Sequence, residues 1–229
     1  MQARATARWR IKGPEMEGVV ARWYAKLRRS GNQIEEYRKQ AAQVTEGLPA
    51  GARVLEVAPG PGYLAVEMAR LGFRVTGLDI SRTFVQIASD NASQAGVGID
   101  FRQGDAAVMP FEADSFDLIV CQAAFKNFVH PATALDEMFR VLCSGGTAVI
   151  QDMSSEASHA DINLEVQKMH LGWWSTFSTR ATLEMLKRRA YSPARFERLA
   201  AESRFQNCKV TTAGIGLEVR LKKTEAAVA

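Results

Sequence analysis

The chain has 229 residues, 47% of them hydrophobic and 24% charged, with a formal net charge of +4. That length suits one good core with elaborations, and the composition is that of a globular protein. No window approaches the apolar length of a membrane span, the basic N-terminus lacks a signal-peptide apolar stretch, and the three cysteines show no CxxC spacing, so the expectation is a cytoplasmic protein with reduced thiols, no metal site and no membrane partner.

The charge is uneven. Residues 1–40 hold ten Lys or Arg and four Asp or Glu, a net of +6, which leaves −2 for residues 41–229. In VVARWYAKLRR and QIEEYRKQAAQV, apolar and charged positions alternate at helical spacing. They are expected to form one or two amphipathic helices with solvated basic faces, an N-terminal cap over residues 1–47. Trp23 and Tyr24 fall in the first of these, where core packing is expected. No aromatic-glycine RNA-binding signature accompanies the basic residues, so no nucleic-acid partner is expected. The linker GLPAG (47–51) opens the main domain, residues 48–229.

From there the elements alternate. ARVLEVA reads as a strand, PGYLAVEMARLG as a helix opened by Pro61 and closed by Gly72, and FRVTGLDI as a second strand. SRTFVQIASDNASQAG is a helix with Ser81 as N-cap and Gly96 as stop. GIDFRQGDA and FDLIVCQ are strands three and four, HPATALDEMFRVLCSGG is a helix running up to Gly145, and GTAVIQDM is strand five. Alternation of this kind predicts right-handed βαβ units and a parallel sheet covered on both faces. Residues 154–191 do not belong to a minimal α/β sheet and read as an inserted helical lid, with HLGWWSTFSTR (170–180) as a loop or helix end. SPARFERLAAESRF is a last helix, and CKVTTAGIGLEVRLKK is a terminal antiparallel hairpin.

Gly60-Pro61-Gly62-Tyr63-Leu64-Ala65 matches the dinucleotide fingerprint GxGxxA, and Asp79 follows Gly60 by nineteen residues, so a nicotinamide-dinucleotide oxidoreductase competes. Against it, Glu56 precedes the turn, where a pyrophosphate would meet a negative charge. Acids Glu56, Asp79 and Asp105 at or near the ends of strands one, two and three suit instead a phosphate-free ligand with an amino acid part, a ribose and an adenine. The terminal hairpin is also foreign to a six-stranded dinucleotide fold.

Taken together, Glu56-Val57-Ala58-Pro59-Gly60-Pro61-Gly62, Gly77-Leu78-Asp79, Gly104-Asp105-Ala106 and Phe116-Asp117-Leu118-Ile119-Val120 resemble the class I S-adenosylmethionine-dependent methyltransferases, most of all the small-molecule subgroup that includes quinone-biosynthesis enzymes. The resemblance covers about residues 50–153, and the family's terminal hairpin fits 209–223. It implies an α/β fold of Rossmann-like type, with a seven-stranded, mostly parallel sheet. It further implies that Gly60 and Gly62 admit the methionine portion, Glu56 lies near its amino group, Asp79 accepts from the ribose hydroxyls with Ile80 beside it, and Asp105 and Ala106 bind adenine. Cys121 and Gln122 would face the methionyl group and the acceptor. Ala58 stands where the family has a glycine, and the expectation is that it fits with a negative φ.

Methyl transfer needs alignment behind an electrophilic methyl more than a fixed triad, so no catalytic residue is assigned. Phe125 and Asn127 follow strand four, where an α/β crevice opens, and are expected to line an acceptor site with Tyr24, Trp173 and Trp174. The expected function is methylation of a small aromatic or polycyclic molecule by a monomer or homodimer. A cyclase keeping S-adenosylmethionine as a structural element, and a non-catalytic cofactor-binding partner subunit, are the alternatives.

Overall fold

The computed structural model describes residues 16–29, 31–168 and 173–224. Helices α1 (Gly18–Leu27) and α2 (Gly31–Val44) precede an alternating core: β1 (Arg53–Val57), α3 (Tyr63–Arg70), β2 (Arg74–Asp79), α4 (Arg82–Ala95), β3 (Asp100–Gln103) and β4 (Phe116–Gln122). A 3-10 turn at Phe125–Asn127 leads to α5 (Pro131–Val141) and β5 (Leu142–Met153). The insertion contributes α6 (His159–Lys168) and α7 (Trp173–Lys187), and α8 (Pro193–Glu202), β6 (Lys209–Ala213) and β7 (Gly216–Lys222) are the last of the described elements.

The sheet has seven strands in the order β3-β2-β1-β4-β5-β7-β6. The first five are parallel, and β7 runs antiparallel between β5 and β6. Neighbouring residues along β1 and β4 go to opposite faces, and both faces are covered. Leu55, Val57, Ile119 and Cys121 pack against Leu135 and Met138 of α5 and Phe196 of α8. Val54, Leu118 and Val120 pack against Tyr37 and Ala41 of α2 and Leu64 and Met68 of α3. That double coverage explains why these strands read as unbroken apolar runs.

The order of β2, β1, β4 and β5 opens a crevice at the sheet's carboxyl end, because the crossover from β1 runs to β2 on one side and that from β4 runs to β5 on the other. Gly62 shapes the turn there. Its φ is +77°, and a Cβ would come within 2.8 Å of the Ala88 Cβ and 3.0 Å of the Phe101 ring, so both backbone and packing demand glycine.

Three local expectations are corrected. The helix after strand four stops at Val141, not near Gly145, because Leu142 already pairs with Phe116 and the ladder resumes at Thr147 after a bulge. The segment 170–180, expected as a loop or helix end, is the body of α7 from Trp173 onward, while residues 169–172, including His170, and the side chains of Trp173 and Trp174 lie outside the described ones. Trp23 is not in the core. It is 63% exposed, because α1 turns Ala21 and Ala25 inward.

The insertion leaves and returns at one point, where Ser154 bridges Tyr191 beside the end of β5. Ile162 and Val166 of α6 pack with Met153 and Ala190, and Leu183 and Leu186 of α7 close that small core. Among the described residues no helix is long and apolar enough to cross a membrane.

Candidate functional site

The crevice is framed by the ends of β1, β2 and β3 on one side and the segment from β4 into α5 on the other. Its floor and walls include Ala58, Ile80, Asp105, Ala106, Phe128 and His130. Of the residues expected from sequence, these bring Ala58, Ile80, Asp105 and Ala106 to one cavity. Phe128 and Val129 were missed, and His130, which its place before Pro131 suggested as a cap or surface residue, lines the cavity too. The only signal for them is position, three to five residues past Phe125, where a single 3-10 turn decides which aromatic faces inward.

Glu56 is buried, 3% exposed. One carboxylate oxygen accepts from the Ala65 backbone amide in the first turn of α3, while Oε2 has no hydrogen-bond partner. Burial pushes its carboxyl up to about 8, opposed by the Ala65 amide and reinforced by the charge of Asp79. A buried acceptor left open is costly, by roughly 1–3 kcal/mol, unless something completes it. The chemistry it calls for is a donor, and a cationic one gains most.

Asp79 was expected at the end of strand two, with its carboxylate given over to ribose hydroxyls. It is buried there, 5% exposed. Oδ2 accepts from the Gly60 amide at 3.0 Å and Oδ1 from the Ser81 amide at 2.8 Å. The carboxylate therefore ties the glycine turn to the start of α4. Burial raises its carboxyl to about 6, even against those two backbone bonds. Each oxygen still has a second lone pair for a ligand hydroxyl. Asp105 closes an Asx turn, its Oδ1 accepting from the Ala107 amide at 2.8 Å.

Ala58 adopts φ +57°, contrary to the expected negative angle. Its amide donates to the Leu78 carbonyl at 2.7 Å, which holds the chain in a conformation that disfavours a β-carbon. Ala123, just past β4, repeats the arrangement with φ +55° and a 2.7 Å bond to the Gln151 carbonyl. Strained alanines thus mark the ends of both strands flanking the crevice.

The acceptor-side expectations separate. Phe125 is 1% exposed and stacks among Phe128, Tyr191 and Phe196, so it is a core residue. Cys121 is likewise buried, and burial pushes its thiol far above the ordinary range. Gln122 donates to the Gln40 side chain on α2 at 2.8 Å, and Asn127 is half-buried in the turn. Tyr24 faces inward, edge-on to Phe84. Lys126 was not singled out, yet its buried ammonium reaches Asp152 Oδ1 at 2.7 Å and the Ala123 carbonyl at 2.6 Å. Asp152 also accepts from the Lys126 and Met153 amides. The strained turn after β4 is therefore latched to β5.

Glu17 is a second residue the sequence did not reveal. Its carboxylate accepts from the Arg82 and Thr83 amides and the Thr83 hydroxyl at the N-terminus of α4. With Tyr63 Oη donating to the Ala25 carbonyl at 3.1 Å, it fixes α1 across the crevice end of α3 and α4. An anion there complements the helix dipole.

Residues 55–150 match a family described as a methyltransferase domain. A demethylmenaquinone methyltransferase of Deinococcus radiodurans is 34% identical over 108 residues, 46% of this chain and 45% of that protein. The chain's match thus spans about half the length of such relatives. A Methanococcus maripaludis protein assigned to the S-adenosyl-L-methionine-dependent methyltransferases superposes with a TM-score of 0.71 at 21% identity, covering 95% of this chain and 98% of that one. The [4+2]-cyclase SpnF shares the fold as well, with a TM-score of 0.57 at 21% identity over 86% of this chain and 84% of its own. The sheet order, the glycine turn, the acids along the strand ends and the matched segment agree: residues 55–150 are similar to the methyltransferase domain family, and the chain has the fold of the S-adenosylmethionine-dependent methyltransferases it superposes on.

Proposed function

We propose that the chain transfers a methyl group from S-adenosylmethionine to a small, apolar, aromatic or polycyclic acceptor. The observation that carries this reading is the open Glu56 Oε2, buried beside a glycine turn with no partner of its own. An ammonium completes it, and a pyrophosphate would not. The rest of the crevice fits the same ligand. Gly60 has φ +55° and no atom within 4 Å of where a Cβ would stand, so ligand atoms can approach the backbone there. Asp79 can add two ribose hydroxyls to its backbone bonds. Ile80, Ala106, Phe128 and His130 enclose a slot suited to a flat base, with Asp105 beside it.

When bound, the cofactor supplies an electrophilic sulfonium methyl. The chain's own contribution is positional: Glu56 and Asp79 fix the two ends of the ligand's polar portion, and the latched turn after β4 presents the acceptor and keeps water out. Burial of an apolar acceptor against the insertion would serve the same end. No general base is assigned. The similar protein of D. radiodurans is named for methylating demethylmenaquinone, which makes a reduced short-chain demethylmenaquinone the first acceptor to try.

Calorimetry with S-adenosylhomocysteine and with NADH tests the cofactor; binding of the first alone is expected, and tight NADH binding without the first overturns the reading. Mass spectrometry then tests the reaction. Methylated product should appear one for one with S-adenosylmethionine consumed and be inhibited by S-adenosylhomocysteine. Conversion that proceeds equally with S-adenosylhomocysteine bound would make the cofactor structural and the reaction a cyclisation.

A further inference from the structure

Helix α1 is inside out. The face it turns to the domain carries Ala21, Tyr24, Ala25 and Arg28, while Val19, Val20, Trp23 and Leu27 stand outward. Val19 is 76% exposed, Trp23 63% and Leu27 58%. At helical spacing these four form one stripe, and Arg22, Lys26 and Arg29, also exposed, form the flank beside it. Residues 18–29 contain no Asp or Glu. Solvation of a basic face does not account for such a helix, because its largest apolar side chains are the ones in water.

The insertion repeats the pattern at the same end of the sheet. Along α7, Phe177, Ala181 and Met185 stand outward at i, i+4 and i+8, Phe177 being 67% exposed, with the exposed Arg180 and Arg188 alongside. Leu183 and Leu186 take the inward face. Both helices therefore stand at the carboxyl end of the sheet, α1 against the start of α4 and α7 in the insertion that leaves the end of β5, each with an apolar stripe and cations beside it.

Three occupants can be weighed. A second copy in a two-fold contact would oppose each stripe's cations with their own duplicates. A globular protein partner needs about 800 Å² and 20–30 residues per side, whereas the outer face of α1 offers seven residues on a helix about 15 Å long. An anionic bilayer surface needs neither a matching shape nor a large footprint. A short helix with apolar residues on one side and Lys and Arg on the other lies in that interface, with its apolar side chains among the acyl chains and its cations at the headgroups. We propose that α1, joined by α7, docks the protein on an anionic lipid surface with the crevice mouth turned toward the bilayer. This is attachment to a surface, distinct from a membrane span, for which no helix among the described residues is long and apolar enough.

Vesicle flotation tests the proposal without any acceptor, so its failure would leave the methyltransferase reading untouched. The full chain is mixed with vesicles of equimolar phosphatidylglycerol and phosphatidylcholine, and with phosphatidylcholine alone. Binding to the first is expected, weakened by salt, with little binding to the second. Arg22→Glu and Lys26→Glu should each weaken it by at least about fivefold. Trp23→Glu and Phe177→Glu should each weaken it by about tenfold or more. All four sites are exposed, so the melting temperature and S-adenosylhomocysteine affinity should hold in every variant. Absence of flotation at low salt overturns the proposal. So does binding that Trp23→Glu and Phe177→Glu leave intact, since the stripes would then not be the contact. A concentration-dependent dimer that Trp23→Glu dissolves would assign the stripe to a second copy instead.

Discussion

Replacing Glu56 by Gln separates the ligand's demand for a charge from the fold's dislike of one. In the folded chain burial raises the Glu56 carboxyl to about 8, from an ordinary 4.5. The sign follows from proton counting. Between those values the folded state binds the extra proton, so stability is greatest at low pH and falls as pH rises through the window. By pH 7 the cost amounts to about 3 kcal/mol, and it approaches its full value above pH 8. Glu56→Gln keeps the shape and removes the titration, so in the absence of ligand it should melt above the parent at pH 9. At pH 9 the cost is close to its full value of about 5 kcal/mol, and at 2–4 °C per kcal/mol for a chain of this size the gain should be roughly 10–20 °C. Binding should change in the opposite direction. An ammonium placed against Glu56 requires the carboxylate, so S-adenosylhomocysteine binding at pH 7, where the ligand amine is already charged, should release close to one proton, and the release should disappear as pH rises past 8. Calorimetry in two buffers of different ionisation enthalpy reads that number directly. Glu56→Gln should lose both the proton release and at least tenfold in affinity. A parent that binds S-adenosylhomocysteine with no proton release, or a variant that binds it equally well, would refute the placement of the amino group at Glu56.

Asp79→Ala should weaken S-adenosylhomocysteine binding by about 2–4 kcal/mol and, because two buried backbone amides lose their acceptor, also lower stability by about 2–4 kcal/mol; unchanged melting would contradict its role in holding Gly60 and Ser81. Lys126→Met leaves the Asp152 charge buried without its cation, so urea unfolding should show a loss of about 3–5 kcal/mol, part of it recovered in the double variant Lys126→Met, Asp152→Asn, which removes the charge and keeps an oxygen for the backbone amides. Ala58→Gly relieves the left-handed backbone at a smaller entropic cost, for a net gain of about 0.5–1 kcal/mol, or roughly 1–4 °C in a thermal scan; a lower melting temperature would show that the alanine methyl is itself needed there.

The order of elements was legible because parallel strands buried on both faces are nearly continuous apolar runs, as VLEV, DLIV and TAVI are, and because Ser81, Gly62 and Pro193 are turn and cap residues with few other uses. The acids near the strand ends were legible for the same local reason: a charge closing an apolar run in Glu56 or Asp79 has no packing purpose. What the sequence could not determine depends on what lies across a gap. Whether Phe125 or Phe128 faces the crevice is set by one 3-10 turn. The φ of Ala58 is set by a hydrogen bond to Leu78, twenty residues away. The extra duty of Asp79 as a backbone acceptor follows from Gly60 and Ser81 meeting over it. Least legible was the orientation of α1. Its spacing announces an amphipathic helix, but Glu17 on α4 and Tyr63 on the Ala25 carbonyl hold it by its small face and leave Trp23 outside. Periodicity fixes which residues share a side of a helix, and only the neighbours decide which side is buried.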